Sequence, residues 1–143
     1  MPPSREALRR AIERHFACWN AQDREGWLAL FDPEVVFEDP VGVPPKRGLE
    51  AARLQWDRSF TPGQRWTLEA RLLYLRGSDA AFVAANRGVI GDKHFDFETI
   101  EVWTLGESGK FVLVRGYYDP PAEVHGYFHA PEDRARHRGT RTP

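Results

Sequence analysis

The sequence predicts an α+β fold, with helices first and a strand meander after them. Three observations carry this. Apolar residues recur at three- and four-residue steps in the first third. Four long β-type runs fill the second half. The connections between those runs are short and glycine-containing, which demands antiparallel neighbours. Helices segregated from a meander pack on one face of the sheet.

Ser4 is placed to cap the first helix, with Glu6 in its first turn. Leu8, Ala11, Ile12, His15, Phe16 and Trp19 then mark one face, to about Asn20. Asp23 caps a second, shorter helix carrying Trp27, Leu28, Leu30 and Phe31, which Asp32-Pro33 is expected to end. Val35 to Asp39 reads as a short strand stopped by Pro40, and the loop PVGVPPKRG follows. Gly48 opens a third helix with Leu49, Ala52, Trp56 and Phe60 on one side, broken by Thr61-Pro62-Gly63. The long strands are expected over Trp66–Arg76, Ala80–Ile90, Lys93–Leu105 and Phe111–Asp119.

A chain of 143 residues suits one domain and buries about 68–70% of its unfolded surface, enough for a core without staples. The expected domain spans 1–120. Residues 121–143, rich in Pro and Arg, have little to bury and are expected to form a mobile tail. With 20 basic and 21 acidic residues, nothing electrostatic favours nucleic acid or an anionic membrane as partner. Cys18 is alone, so no intramolecular disulfide or cysteine-based zinc cluster forms. The histidines lack metal-ligand spacing apart from His125 and His129 in the tail, so no metal is expected. Nucleotide fingerprints and the G-x-S-x-G elbow are missing. With no apolar leader and no apolar run of 18 residues, a soluble cytoplasmic protein is the expectation.

Three polar residues interrupt apolar faces. In the strand from Lys93, alternation puts Phe95, Phe97, Thr99, Glu101, Trp103 and Leu105 on one side. Glu101 thus shares a face with aromatics, unless that face meets solvent. Asp39 closes the row Val35, Phe37, Asp39, or else simply starts a turn before Pro40. His15 lies on the buried stripe of the first helix, as a core residue or a chemical one.

The segment HFACWNAQDREGWLALFDPEVVFEDPVGVPPKRG resembles the ketosteroid isomerase family of the nuclear transport factor 2-like superfamily. D-x-E-x-W-L-x-L-F and the E-D-P-x-G-x-P-P-x-x-G stretch at Glu38 to Gly48 carry the likeness. It extends through I-E-V-W at Ile100 to Trp103 and R-G-Y-Y at Arg115 to Tyr118, about four-fifths of the chain. It implies a cone-shaped fold, with three N-terminal helices on a curved, mainly antiparallel sheet enclosing a pocket. Asp39 falls at the family's general-base position, Glu101 at that of a second, protonated carboxyl, and His15 at that of an oxyanion-binding tyrosine.

The resemblance therefore implies a cofactor-independent acid/base enzyme that shifts a double bond through an enolate. A polyketide or polyether cyclase on the same fold is the alternative, and a non-catalytic binding module a further one. Trp19, Phe31, Phe37, Trp56, Phe82, Trp103 and Tyr118 are candidates for the wall of a pocket suited to a polycyclic or polyketide-like apolar molecule. The resemblance also implies a homodimer through the outer sheet face, with Ile100 and Val102 as candidate contacts.

Overall fold

The computed structural model describes residues 1–119. Residues 121–143, expected as a tail, lie outside that range, as do His125, His129 and His137. Three helices pack on one six-stranded, open, curved sheet of mixed but mainly antiparallel pairing. The helices are α1 (Arg5–Asn20), α2 (Arg24–Leu28) and α3 (Gly48–Ser59). The strands are β1 (Phe31–Glu38), β2 (Lys46–Arg47), β3 (Gln64–Arg76), β4 (Asp79–Ile90), β5 (Lys93–Leu105) and β6 (Phe111–Tyr117). Their order across the sheet is β2-β1-β6-β5-β4-β3, with β1 and β6 parallel.

Local chemistry explains why α1 starts and stops where it does. The Ser4 side chain accepts from Ala7 N–H, satisfying one of the donors a helix start leaves open. Leu8, Ile12, His15 and Trp19 form its buried stripe. Both ends of the helix are fixed to β3. Arg5 Nη1 donates to Leu75 O at 3.0 Å. Asn20 Nδ2 donates to Leu68 O at 2.8 Å, and Asn20 Oδ1 accepts from Leu68 N at the same distance. The last two turns of α1 are thereby held over the sheet.

Two expectations are corrected. The second helix ends at Leu28, and Phe31 opens β1 instead of closing that helix. Phe31 pairs with Phe111, and Phe111 N donates to Leu30 O at 2.8 Å. This tertiary pairing overrides the local helical pattern. Pro33 falls in the irregular stretch between Phe31 and Val36, where it removes no ladder donor, and Asp32 Oδ1 accepts from Glu34 N at 2.8 Å. The proline-rich loop also contains β2, which pairs antiparallel with β1 through Val36 and Phe37.

The long strands match their expected faces. On β4, Ala80, Phe82 and Ala84 point inward, opposite Trp103, Glu101 and Thr99 of β5. Gly88 is small for a reason: a Cβ there would sit 2.4 Å from the Trp66 ring, which lies across it. Trp66 is thereby seated against the sheet near Phe97, at 5.8 Å between ring centroids.

Candidate active site

One cavity opens between α1, α3 and the concave side of the sheet. Its lining includes His15, Trp19, Asp39, Thr99, Glu101 and Tyr118. The three polar residues singled out in the sequence thus reach one space from three elements. The volume open to the centre of a water molecule is about 50 Å³, within about 490 Å³ of atom-free space that includes the mouth. The smaller figure admits a few waters. The larger reaches the range of pockets for drug-sized ligands.

Of the expected wall, Trp19, Phe37, Trp103 and Tyr118 line the cavity. Phe31, Trp56 and Phe82 do not line it; they are buried behind it. Phe31 packs on Trp27 and Trp103, Trp56 on Trp19 and Trp27, and Phe82 on His15 and Phe16. Residue type shows that an aromatic is buried, but its distance from the void depends on packing. Sequence reasoning missed Trp27, Gln55, Leu68, Asn86, Phe97, Thr99 and Val114 as lining residues. Thr99 and Phe97 share the parity of Glu101, so that signal was present. Asn86 required the β4–β5 register, which places it opposite Phe97.

His15 is 2% exposed. Trp27 Nε1 donates to its Nδ1 at 2.9 Å. An indole N–H can only donate, so Nδ1 must be the acceptor and the ring proton sits on Nε2. Burial lowers the imidazole pKa to about 3, so the ring is neutral at physiological pH. Trp103 lies against it, with 4.0 Å between centroids. His15 is therefore a fixed, uncharged N–H donor.

Glu101 is 8% exposed and faces no cation among its hydrogen-bond partners. Thr99 Oγ1 donates to Oε2 at 2.7 Å and Trp103 Nε1 donates to Oε1 at 2.9 Å. Asn86 Nδ2 in turn donates to Thr99 Oγ1 at 3.1 Å, which orients the hydroxyl. Burial, then the nearby charge of Asp39, raises Glu101 to about 7 against the pull of those two donors.

Asp39 follows Glu38, the last residue of β1. As a residue it is partly exposed, but its carboxyl is enclosed. Burial raises its pKa, opposed by a hydrogen bond from Tyr118 and the charge of Lys46. Tyr118 is itself pushed up by burial and by Asp39. Gly116 makes this pair possible. A Cβ there would lie 2.6 Å from Asp39 Oδ1 and 2.9 Å from the Tyr118 ring. Two enclosed carboxyls linked in this way, both pushed up by burial, lose their protons one after the other. Between those steps one carboxylate and one carboxylic acid share the cavity.

Among the described residues no three His, Cys, Asp or Glu side chains gather as a metal set. None of the described helices is long and apolar enough to cross a membrane.

Residues 12–114 match the family model described as SnoaL-like domain. Similar solved structures include a Mycobacterium tuberculosis protein in complex with estradiol-17β-hemisuccinate. It is 23% identical, with TM-score 0.70 over 79% of this chain and 94% of that one. The Δ5-3-ketosteroid isomerase of a Mycobacterium species is 20% identical, with TM-score 0.70 over 79% and 93% of the two chains. The epoxide hydrolase/cyclase-like enzyme SalBIII, with a role in pyran ring formation in the polyether salinomycin, is 21% identical. Its TM-score is 0.72 over 80% of this chain and 92% of that one. At such identities the likeness establishes the fold.

Proposed function

The chain belongs to the SnoaL-like domain family of the nuclear transport factor 2-like superfamily, and from that premise we propose a cofactor-independent acid/base enzyme acting on a bulky apolar ketone. The observation that carries the reading is the pair of enclosed carboxyls, Asp39 and Glu101, whose protonation steps are separated inside an aromatic cavity. Such separation is how one site holds a base and an acid at the same pH.

In this reading Asp39 is the base. Its carboxylate takes a proton from the carbon alpha to the carbonyl, breaking C–H and forming O–H, while the electron pair moves onto the carbonyl oxygen. The Nε2–H of His15 donates to that oxygen as charge grows there. Asp39 then returns the proton to the far carbon of the dienolate. The product is the conjugated enone, and no proton is gained or lost. Protonated Glu101 keeps the second charge out of the cavity while Asp39 is ionised.

The test is to supply a β,γ-unsaturated ketosteroid and follow the ultraviolet absorbance of the conjugated isomer. Asp39→Asn is expected to cost about 10²–10⁴-fold in kcat. Equal turnover in that variant refutes the assignment.

A second reading, a polyketide or polyether cyclase, is favoured by one feature. Position 15 carries an uncharged imidazole donor and no phenol. Closing a ring asks for proton delivery and removal at several oxygens, which a carboxyl pair and a neutral donor supply. No isomerisation of the ketosteroid together with tight binding of a multi-ring precursor would select it. If the parent turns over neither substrate and Asp39, His15 and Glu101 can all be replaced without loss of ligand affinity, only a binding module remains.

Pairing of two copies through the outer sheet face belongs to the same proposal. Leu72, Tyr74, Ile100 and Tyr117 are exposed there at 54, 65, 56 and 43%. Sedimentation of an Ile100→Glu variant as a monomer, against a dimeric parent, is the expected result.

A further inference from the structure

We propose that the Trp19 indole N–H and the His15 Nε2–H together form a two-donor site for one carbonyl oxygen of the ligand, which makes Trp19 a substrate-contacting residue. The inference deepens the acid/base reading above and rests on it for the identity of the reacting group.

His15 and Trp19 stand one helical turn apart on the buried face of α1, with ring centroids 6.3 Å apart. Both line the cavity. Both Nε2 of His15 and Nε1 of Trp19 are buried with no hydrogen-bond partner among the described residues. A buried N–H without an acceptor costs about 1–3 kcal/mol. Phenylalanine at either position would fill similar space without that cost. Two such orphans, one turn apart on residues that line one cavity, call for an acceptor that the described residues do not supply.

The two carboxyls of the cavity accept from other donors. Glu101 accepts from Thr99 and Trp103, and Asp39 accepts from Tyr118. The donors themselves are immobilised. Trp19 is held by Trp27 at 5.2 Å, Trp56 at 5.2 Å and Phe60 at 4.8 Å between centroids. Trp27 fixes the His15 tautomer. Donors fixed in this way need no reorganisation when charge develops on a bound oxygen.

The chemistry of the pair narrows the ligand. Both donors are neutral, and two carboxyls share the space. An anionic headgroup such as a phosphate meets no cation among the cavity-lining residues and meets Asp39 instead. A ketone oxygen enters uncharged, accepts both N–H bonds on its two lone pairs, and becomes enolate-like only during reaction. Glu101 is then not needed as an oxygen donor, and its two oxygens stay with Thr99 and Trp103.

The probes are 2-acetylnaphthalene and 2-ethylnaphthalene, which share a shape and differ in the carbonyl oxygen. In the unaltered protein the infrared carbonyl stretch of the bound ketone moves to lower wavenumber. The indole ¹H–¹⁵N signal of Trp19 moves with the ketone and not with the hydrocarbon. In Trp19→Phe part of the carbonyl shift is lost. Ketone affinity there weakens about 3–10-fold while the hydrocarbon's holds within about twofold.

Equal weakening of both probes means packing alone and overturns the site. An unmoved indole signal in the unaltered protein overturns it without reliance on any variant, and so does an ordered water that stays on the two nitrogens. The two readings separate in Asp39→Asn. Turnover lost with the carbonyl shift intact supports both. No turnover even in the parent, with the shift present, leaves the oxygen site standing and removes the enzymatic reading.

Discussion

The two faces of the sheet treat the same side chain in opposite ways. Glu98 and Glu101 lie three residues apart on β5. Glu98 points outward, where Arg71 Nε meets its Oε2 at 2.9 Å with both groups about half exposed. Glu101 points inward, where its partners are a hydroxyl and an indole and its nearest charge is another carboxylate. On the outer face, Arg115 with Glu38 and Arg87 with Glu69 repeat the solvated pairing. There each carboxylate has water and a counter-charge beside it. Enclosure without a cation makes Glu101 a group that titrates near neutrality. The difference comes from strand parity and not from residue type.

Among changes outside the two carboxyls, the largest effect should come from Gly116→Ala. Its new Cβ would collide with the Asp39 carboxyl and Tyr118. Overpacking of this kind costs about 1–3 kcal/mol. Misplacing a reacting group by about an ångström costs about 10²-fold in kcat. Thermal melts and turnover measured together should show activity falling far more than stability.

Trp27→Phe comes next. It leaves Nδ1 of His15 buried and unpaired, for a loss of about 1–3 kcal/mol by denaturant titration. The ring is then free to change tautomer. ¹⁵N NMR of the imidazole should show a mixture where the parent shows only Nε2–H.

Glu101→Gln tests the inner face by pH. The folded pKa is about 7 and the unfolded reference is 4.5. Between these values the folded state keeps a proton that the unfolded chain has released. Stability contributed by Glu101 is therefore full below about 4.5 and is lost as pH rises through about 7. His15 acts oppositely, since its pKa falls from 6.5 to about 3 and acid draws a proton onto the unfolded chain first. Removing the carboxyl should flatten the decline from pH 5 to 7 by at most about 1.4 kcal/mol per pH unit. An unchanged slope would mean that the inner carboxyl is no different from the outer one.

Arg71→Ala should have the smallest effect. An exposed pair contributes about 0–1 kcal/mol, and the change should vanish in high salt.

The sequence made the faces legible because strand periodicity is strict. Phe97, Thr99, Glu101 and Trp103 alternate without interruption, so the inward set of β5 could be written from parity. The buried stripe of α1, with His15 and Trp19, was equally plain. What stayed hidden depends on partners distant in the chain. Phe31 looked helical until its pairing with Phe111, 80 residues on, made it the start of β1. β2 is only two residues long, within a run of prolines, and exists because β1 passes beside it. The His15 tautomer depends on a single indole N–H 12 residues away. That Phe82 and Trp56 stand behind the cavity wall reflects ångström-scale packing, on which composition is silent.

The bond from Trp27 to His15 has a consequence for traffic through the cavity. An indole N–H hands nothing over at neutral pH and receives nothing, so it seals the imidazole's only basic lone pair. A histidine sealed in this way cannot relay protons between a substrate and bulk solvent. Exchange with water is left to the carboxyls and the mouth. Under the proposed reading, in which Asp39 is the base, a deuterium it lifts from the ketone then has no path to solvent through His15.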